Sequence, residues 1–216
     1  MKKFKIFLIF ILFLTPSFSL ALTTEEIVAK IEKSYNSLKD LSVDFDKTWV
    51  SDYFKKEKKS EGKMYLKNPD KYRIEGTDEE IVSDGKIVWI YSKENQQVII
   101  NWANQSKNVF KPNQIFLNFK LDYNIKLLGE EKIEKVSCYN LELTPKNENA
   151  SITKMLLWVD KKSFLAKKIA HTDQSDNQTI LLFKNFKRNQ GLKNSKFVYK
   201  IPKGIEKVDM RKEKGE

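Results

Sequence analysis

The chain has 216 residues, and its 40 lysines and arginines outnumber its 29 aspartates and glutamates, which gives a formal net charge of +11 at pH 7. It contains one cysteine, Cys138, and one histidine, His171. A single cysteine excludes an internal disulfide, and a single histidine excludes a metal site built from several histidines. The fold must therefore be stabilised by burial of apolar side chains, and the length suits one domain with a sizeable core.

Residues 1–21 have the pattern of a secretory signal peptide. A basic start precedes an apolar run from Ile6 to Leu14, and the small residues Ser19 and Ala21 stand at the expected cleavage positions. The run is short for a membrane span, although an N-terminal anchor helix is the alternative. No cysteine stands directly after this run to accept a lipid, because Cys138 lies far along the chain. We predict a signal peptide at 1–21, a single domain at 22–216 and an extracytoplasmic location.

Most of the positive charge comes from lysine, because Arg73, Arg188 and Arg211 are the only arginines. Nucleic acid is the obvious partner for a basic chain, but secretion and the scarcity of bidentate arginines argue against it. The densest basic stretch, Lys55–Lys59, falls in a charged segment, 51–60, that we predict to be a mobile loop. A solvated surface is the simpler interpretation, and attraction to an acidic partner or to anionic lipid headgroups is the functional alternative.

Thr23 and Glu26 have the spacing of a capping box, which predicts that a helix begins here. Apolar residues then recur at helical spacing and form one stripe. The stripe consists of Ile27, Val28, Ile31, Tyr35 and Leu38. We predict that the helix ends near Asp40.

The stretch from Leu66 to Tyr91 predicts a break at Pro69 followed by three short strands. The first of them, 72–75, alternates apolar and charged residues, which is typical of a strand with one buried face. The other two flank the dipeptide Asp84-Gly85, a strong signal for a hairpin turn with positive φ at both positions.

A two-residue turn at Asp84-Gly85 would pair Ile81 with Val88. By alternation, Ile90 would then share their face of the sheet. Trp89 would lie on the opposite, convex face, where we expect a loop to cover it.

This stretch resembles the periplasmic outer-membrane lipoprotein carrier family, LolA. The similarity lies in Pro69, in Tyr72-Arg73-Ile74, in Val82-Ser83-Asp84-Gly85 and in Val88-Trp89-Ile90-Tyr91. A second match, residues 198–208, is similar to the strand and Pro-x-Gly segment with which the family closes. The family often carries an arginine before the proline where this chain has Asn68, so a lid contact made by that arginine does not carry over.

Alternation and turn residues predict strands along the rest of the chain. They cover 41–50, 62–66, 97–102, 123–128, 132–143, 154–159, 165–171, 179–186 and 195–199. Their spacing predicts a long antiparallel meander, and hence an α+β, mostly β fold with a strongly curved antiparallel sheet of about eleven strands. The resemblance implies the same architecture, an incomplete β-barrel covered by a helical lid.

Residues 112–119 predict a short helix, because a proline such as Pro112 is well placed at the first helical position. The segment carries four large apolar residues, Ile115, Phe116, Leu117 and Phe119. A helix with so little polar face must pack against something apolar or cover a ligand.

The sequence contains no familiar catalytic or metal-binding motif. It lacks His-Glu-x-x-His, Cys-x-x-Cys, Gly-x-Ser-x-Gly and a phosphate-binding glycine loop. The adjacent acids Glu79-Glu80 and Glu130-Glu131 would point to opposite faces of a strand, so they make poor acid–base pairs. We predict His171 in a turn at a strand end and Cys138 as a small buried hydrophobe. We therefore predict no enzymatic activity, no metal and no cofactor.

The resemblance implies an acyl-chain site between the sheet and its lid. Its sheet residues would be Tyr72, Ile74, Ile81, Val88 and Ile90, and its lid residues Ile27, Ile31, Ile115, Phe116, Leu117 and Phe119. The alternative is that all of these are ordinary core residues. In a fold of this kind the two interpretations merge, because the core of the empty protein is also the binding site.

The resemblance implies a monomeric periplasmic chaperone. It would take acylated lipoproteins from an inner-membrane ABC-type lipoprotein-releasing complex and carry them to an outer-membrane lipoprotein acceptor. The alternatives are a lipid-binding sensor, the acceptor itself, or another hydrophobic-ligand-binding module on the same fold. A secreted hydrolase is a third class, for which the sequence nominates no nucleophile.

Overall fold

A computed structural model of the protein describes residues 22–105, 112 and 119–211. It is mostly β, with a 12-stranded sheet, a helix α1 (Thr24–Asn36) and a short helix α2 (Phe119–Asp122). The strands are β1 (Asp40–Ser51), β2 (Lys56–Lys67), β3 (Lys71–Gly76), β4 (Glu79–Ser83), β5 (Ile87–Ser92), β6 (Gln97–Trp102), β7 (Tyr123–Ile133), β8 (Val136–Pro145), β9 (Ile152–Asp160), β10 (Ala166–Asp173), β11 (Gln178–Arg188) and β12 (Glu206–Asp209).

The strands form two antiparallel meanders that meet where β1 pairs with β11. One meander runs from β1 to β6 and the other from β7 to β11. Strand β12 returns to the far edge and pairs in parallel with β6. Within the described residues the edge strands β7 and β12 do not pair with each other, so the sheet is unclosed.

Helix α1 begins as the sequence predicts. The Thr23 hydroxyl accepts from the Glu26 amide, and the Glu26 carboxylate accepts from the Thr23 amide, so the capping box is complete. The whole predicted apolar stripe, from Ile27 to Leu38, is buried. The predicted end at Asp40 is wrong, because α1 ends at Asn36 and Asp40 already pairs with Lys67 as the first residue of β1.

The predicted mobile loop at 51–60 is also wrong for its second half. Pairing between β1 and β2 continues to Ser51 and Lys56, so Lys56–Lys59 belongs to a strand. The sequence conceals this strand because these residues extend beyond the apolar interior. Their side chains are exposed on both faces, so the alternation that marks a half-buried strand is absent.

The hairpin after β4 lies where it is predicted, but its turn is shifted by one residue. Ile81 pairs with Ile90 rather than with Val88, and Asp84 and Ile87 flank the turn. Of the two predicted turn residues only Gly85 has positive φ, at 95°. The Asp84 carboxylate instead accepts from the amide of Ile87, which fixes the turn. Because the register differs by two positions, the predicted inward and outward faces are unchanged.

Most of the core lies on the concave face of the sheet. Buried apolar side chains from α1, α2, β1–β5 and β8–β11 form one continuous cluster there. A smaller cluster on the convex face contains Cys138, which is fully buried as predicted, together with Ile133 and Trp158. Burial raises the pKa of the Cys138 thiol to about 11, so the thiol stays protonated.

The predicted strand 195–199 is wrong, because Asn194–Phe197 forms a 3-10 helix and the last strand is β12. This segment lies on the convex face of β2 and β3. The Lys196 ammonium bonds to Glu75 at 2.8 Å and stacks 3.9 Å from the Tyr65 ring centroid. Side-chain contacts rather than a ladder therefore hold the segment. Trp89 lies half-buried on the same convex face.

Candidate functional site

The concave face brings together most of the residues that the sequence nominates. Seven of them are buried in the main cluster, and Ile90 packs against it half-buried. The seven are Ile27, Ile31, Tyr72, Ile74, Ile81, Val88 and Phe119. The nominated Ile115, Phe116 and Leu117 lie outside the described residues. Two elements distant in sequence, α1 and β3–β5, therefore share one apolar interior. Burial raises the pKa of Tyr72 within it to about 12, so its hydroxyl is neutral.

Polar bonds fix the C-terminal end of α1 to the sheet. The Tyr35 hydroxyl accepts from the Ala166 amide at 3.0 Å, and the Ser34 hydroxyl donates to the Ser163 carbonyl at 2.7 Å. The Asn68 side chain donates to the carbonyls of Tyr35 at 3.0 Å and Leu38 at 2.6 Å. The two Asn68 bonds supply donors to carbonyl groups at and just after the end of α1, where intrahelical donors are lacking.

An open cavity of about 310 Å³ continues this interior towards one end of the sheet. Its apolar wall consists of Phe45, Met64, Ile74, Ile81, Ile90 and Leu181. Three of these, on β3, β4 and β5, are among the residues that the sequence nominates. The volume falls at the lower end of the range of small-molecule pockets, about 300–1,000 Å³.

The cavity also shows how strongly the sheet is curved. Ile90 on β5 and His171 on β10 both line it, although five strands stand between theirs in the sheet order. In a flat sheet, strands so far apart would be separated by about 29 Å, since neighbours lie about 4.8 Å apart. The sheet must therefore curl around the cavity.

The mouth of the cavity is polar. Lys47 on β1 and Glu79 on β4 form an ion pair across it, with Nζ and Oε1 3.6 Å apart. The other polar side chains that line the cavity are Ser60, Thr77, Asp78, His171 and Thr179. A dry wall with a charged entrance suits an amphiphile whose tail enters and whose polar end stays at the surface.

A second open groove, of about 380 Å³, runs between α1 and the edge strand β7. Val28, Ala29 and Ile125 line it, and the pair Lys120–Glu32, at 2.7 Å, links α2 to α1 beside it. The Glu32 Oε1 atom is buried without a hydrogen bond in the described part of the chain. An open groove thus flanks α1 on the side that faces β7.

Two absences hold for the residues that the structure describes. No helix among them is both long and apolar enough to cross a membrane. No group of three or more histidine, cysteine, aspartate or glutamate side chains there is placed to hold a metal ion.

A family model described as outer membrane lipoprotein carrier protein LolA matches residues 36–200. The chain belongs to the LolA family. It is similar to an outer-membrane lipoprotein carrier protein of Haemophilus influenzae, with 30% identity over 175 residues that cover 80% of this chain and 82% of that protein. It is also similar to the uncharacterized protein MJ0687 of Methanocaldococcus jannaschii, with 29% identity over 186 residues.

The second match covers 85% of this chain but 53% of MJ0687, so the chain spans about half of that protein's length. Among solved structures, the fold is similar to that of an uncharacterized conserved protein from Thermus thermophilus. The TM-score is 0.58 at 16% identity, and the match covers 86% of this chain and 98% of that one. The family predicted from the Leu66–Tyr91 stretch is thus confirmed, and the sheet is that of a LolA-type fold.

Sequence reasoning about this LolA-family chain misplaced one residue of the site. His171 is predicted in a turn, but it lies inside β10, where it pairs with Met155 and Thr179 and lines the cavity. Its Nδ1 atom is buried without a hydrogen bond from the described residues. The predicted strand, 165–171, already reached this residue, and alternation from Ile169 along it places His171 on the inner face.

Replacing Asn68 with alanine should lower the free energy of unfolding by about 1–2 kcal/mol, because the Leu38 carbonyl loses its side-chain donor and the Tyr35 carbonyl is left with the Leu38 amide. The effect should be concentrated in α1, whose amides should exchange with solvent faster than those of the sheet. Hydrogen exchange and denaturant titration measure both quantities. The matched control, Asn95→Ala in the exposed β5–β6 turn, should change neither; equal effects of the two substitutions would contradict this role.

His171 should make the protein less stable in mild acid. Burial lowers its pKa below the ordinary 6.5, and so does Lys47, while Asp173 raises it. The unfolded chain therefore takes up a proton near pH 6.5 while the folded protein does so only at lower pH. The contribution of His171 to the free energy of unfolding is therefore fully present above pH 6.5, and it is lost as the pH falls below that value.

The substitution His171→Gln should remove this component of the pH dependence. Denaturant midpoints at about pH 7.5 and about pH 5.5 should then differ less in the variant than in the wild type. All other ionisable groups are the same in both proteins and cancel in the comparison. Identical pH dependence of the two proteins would show that His171 is not responsible.

Proposed function

We propose that this protein is a periplasmic carrier that binds the acyl chains of lipoproteins released from the inner membrane and delivers them to an outer-membrane acceptor. The observation that carries the proposal is the open, apolar-walled cavity that continues the core beneath α1. Membership of the LolA family and similarity to named lipoprotein carriers support it. In this proposal the chain has a signal peptide at 1–21, acts as a single domain at 22–216 and has no enzymatic activity.

The size of the cavity indicates how binding would work. A volume of about 310 Å³ holds about ten groups the size of a water molecule, each of about 30 Å³. Burying that many methylenes stabilises a complex by about 8 kcal/mol. A lipoprotein with several long chains needs more room, so part of the core must move aside.

We propose that α1, together with the segment 112–119, is the helical lid that moves. The N-terminal half of α1 covers the sheet with Ile27 and Ile31, while its polar anchors, Ser34 and Tyr35, lie in the C-terminal half. The groove along β7 gives the helix an incompletely packed side. Displacing apolar side chains from the sheet offsets part of the energy of acyl burial, which keeps binding reversible.

Two membrane complexes would complete the transport route. An inner-membrane ABC-type lipoprotein-releasing complex would load the monomeric carrier, and an outer-membrane lipoprotein acceptor would unload it. Nucleic acid is not a partner in this proposal. The acyl chains would be the shared element that each step recognises.

The test is cargo capture. The purified protein should retain a lipidated lipoprotein released from membranes, but not the same cargo with serine in place of its lipid-bearing cysteine. Phe116→Glu should weaken retention at least tenfold, whereas Leu128→Glu, on the exposed side of β7, should not. Equal retention of lipidated and unlipidated cargo, or retention unchanged by Phe116→Glu, would refute the proposal.

A second candidate is a binding module for a single-chain amphiphile, such as a lipid sensor on the same fold. The observation that favours it is the cavity itself, which has room for one chain and carries a polar mouth at Lys47, Glu79 and His171. Tight binding of a free fatty acid or lysophospholipid, with no retention of lipidated protein, would favour this candidate.

A further inference from the structure

The β1–β2 hairpin ends in two exposed aromatic side chains. Tyr53 is 85% exposed and Phe54 is 62% exposed. Their rings contact each other edge to face, with centroids 4.9 Å apart, and we call them the aromatic tip. Large apolar side chains grouped on a surface mark contact sites more often than single exposed ones do. The grouping of these two rings therefore indicates a contact surface.

The hairpin carries this tip beyond the mouth of the cavity. Lys47 and Ser60, which face each other across β1 and β2, line the mouth. Pairing then continues for four more residue pairs, to Ser51 and Lys56, which is about 13 Å at 3.3 Å per residue. On the β3 side, pairing with β2 stops at Gly62, so this part of β2 is uncovered there.

Lysines surround the aromatic tip. Lys58 is paired with Asp78 at 2.8 Å and Lys59 with Glu57 at 2.9 Å. Lys55 and Lys56 are exposed and make no ion pair with any described residue. The exposed Asp52 offsets one of these two charges, so the tip keeps a net positive charge beside its aromatic rings.

Aromatic rings next to lysines are suited to the boundary between water and a lipid bilayer. The rings occupy the headgroup region while the ammonium groups stay hydrated beside anionic lipids. An acidic protein would satisfy the lysines but would leave the two rings without an apolar environment. The combination therefore favours a membrane.

We propose that the aromatic tip docks on the surface of an anionic lipid bilayer and turns the cavity mouth towards it. Tyr53 and Phe54 enter the headgroup layer, and Lys55 and Lys56 contact anionic headgroups. The docking surface adds a partner to the proposed function and does not depend on acyl binding.

Flotation with vesicles tests this inference. The wild type should bind vesicles of phosphatidylcholine containing phosphatidylglycerol and should bind pure phosphatidylcholine at least tenfold more weakly. Tyr53→Ser/Phe54→Ser should reduce binding to the anionic vesicles at least tenfold. Lys55→Gln/Lys56→Gln should reduce it about fivefold for each lysine removed.

The matched control is Leu121→Ser/Val198→Ser, which removes two apolar side chains that are 66% and 47% exposed elsewhere. It should bind vesicles as the wild type does. Binding of a fluorescent fatty acid should be unchanged in every variant, so failure of docking and failure of the proposed function are distinguishable. Absence of vesicle binding by the wild type, or equal binding by the aromatic variant, would overturn the inference.

Discussion

Replacing Asp40 with alanine is expected to lower the free energy of unfolding by about 3 kcal/mol, because a buried carboxylate that accepts several hydrogen bonds is lost. Asp40 is 3% exposed. Its carboxylate oxygens accept from the amides of Gln190, Gly191 and Leu192 at 2.7, 2.9 and 3.1 Å. The residue thus fixes the turn that leads the chain from β11 onto the convex face.

Denaturant titration of the variant measures this loss. The matched control is Asp44→Ala on the same strand, where the carboxylate bonds to Asn185 and Lys63 at the half-exposed surface. Such surface contacts contribute about 1 kcal/mol or less. Hydrogen exchange should also rise in the segment around Phe197, since its leading turn is no longer held. A loss for Asp40→Ala as small as for Asp44→Ala would contradict the assignment.

Replacing Ile90 with glutamate is expected to weaken binding of a fatty-acyl ligand at least tenfold. Ile90 is half-buried on the concave face and lines the cavity wall. A carboxylate there removes apolar contact area and places charge beside the hydrocarbon. Losing contact with about two methylenes already costs about 1.6 kcal/mol, which is more than a tenfold change in Kd.

Titration of a fluorescent fatty acid measures this affinity, and circular dichroism checks that the variant is folded. Leu128→Glu is the control, because Leu128 is exposed and does not line the cavity. It should bind the ligand as the wild type does. If both glutamates weakened binding equally, or neither did, the cavity would not be the acyl site.

Much of the fold follows from local pattern. The capping box at Thr23 and Glu26 and the stripe behind it depend on neighbouring residues alone, so α1 begins where it is predicted. The faces of β3–β5 are also predictable, because strand alternation fixes which side chains point inwards even when the register differs by two. These two features account for most of the described candidate site.

The remaining features depend on contacts between distant segments. The 3-10 helix at Asn194–Phe197 replaces a predicted strand because Glu75 and Tyr65, far back in the chain, hold Lys196. The extension of β2 to Lys56 is invisible in the sequence because neither face of it is buried. The role of Asp40 is likewise not predictable from local pattern, because the backbone amides that donate to it belong to the distant Gln190, Gly191 and Leu192.

The dependence of affinity on acyl-chain length is the most direct test of a cavity for hydrocarbon on the concave face. We predict that Kd for saturated fatty acids falls about fourfold with each added methylene, the equivalent of about 0.8 kcal/mol. This decrease in Kd should continue up to chains of about ten carbons, which fill the existing cavity. It should continue for longer chains if α1 moves away from the sheet. An affinity that is independent of chain length would contradict the account.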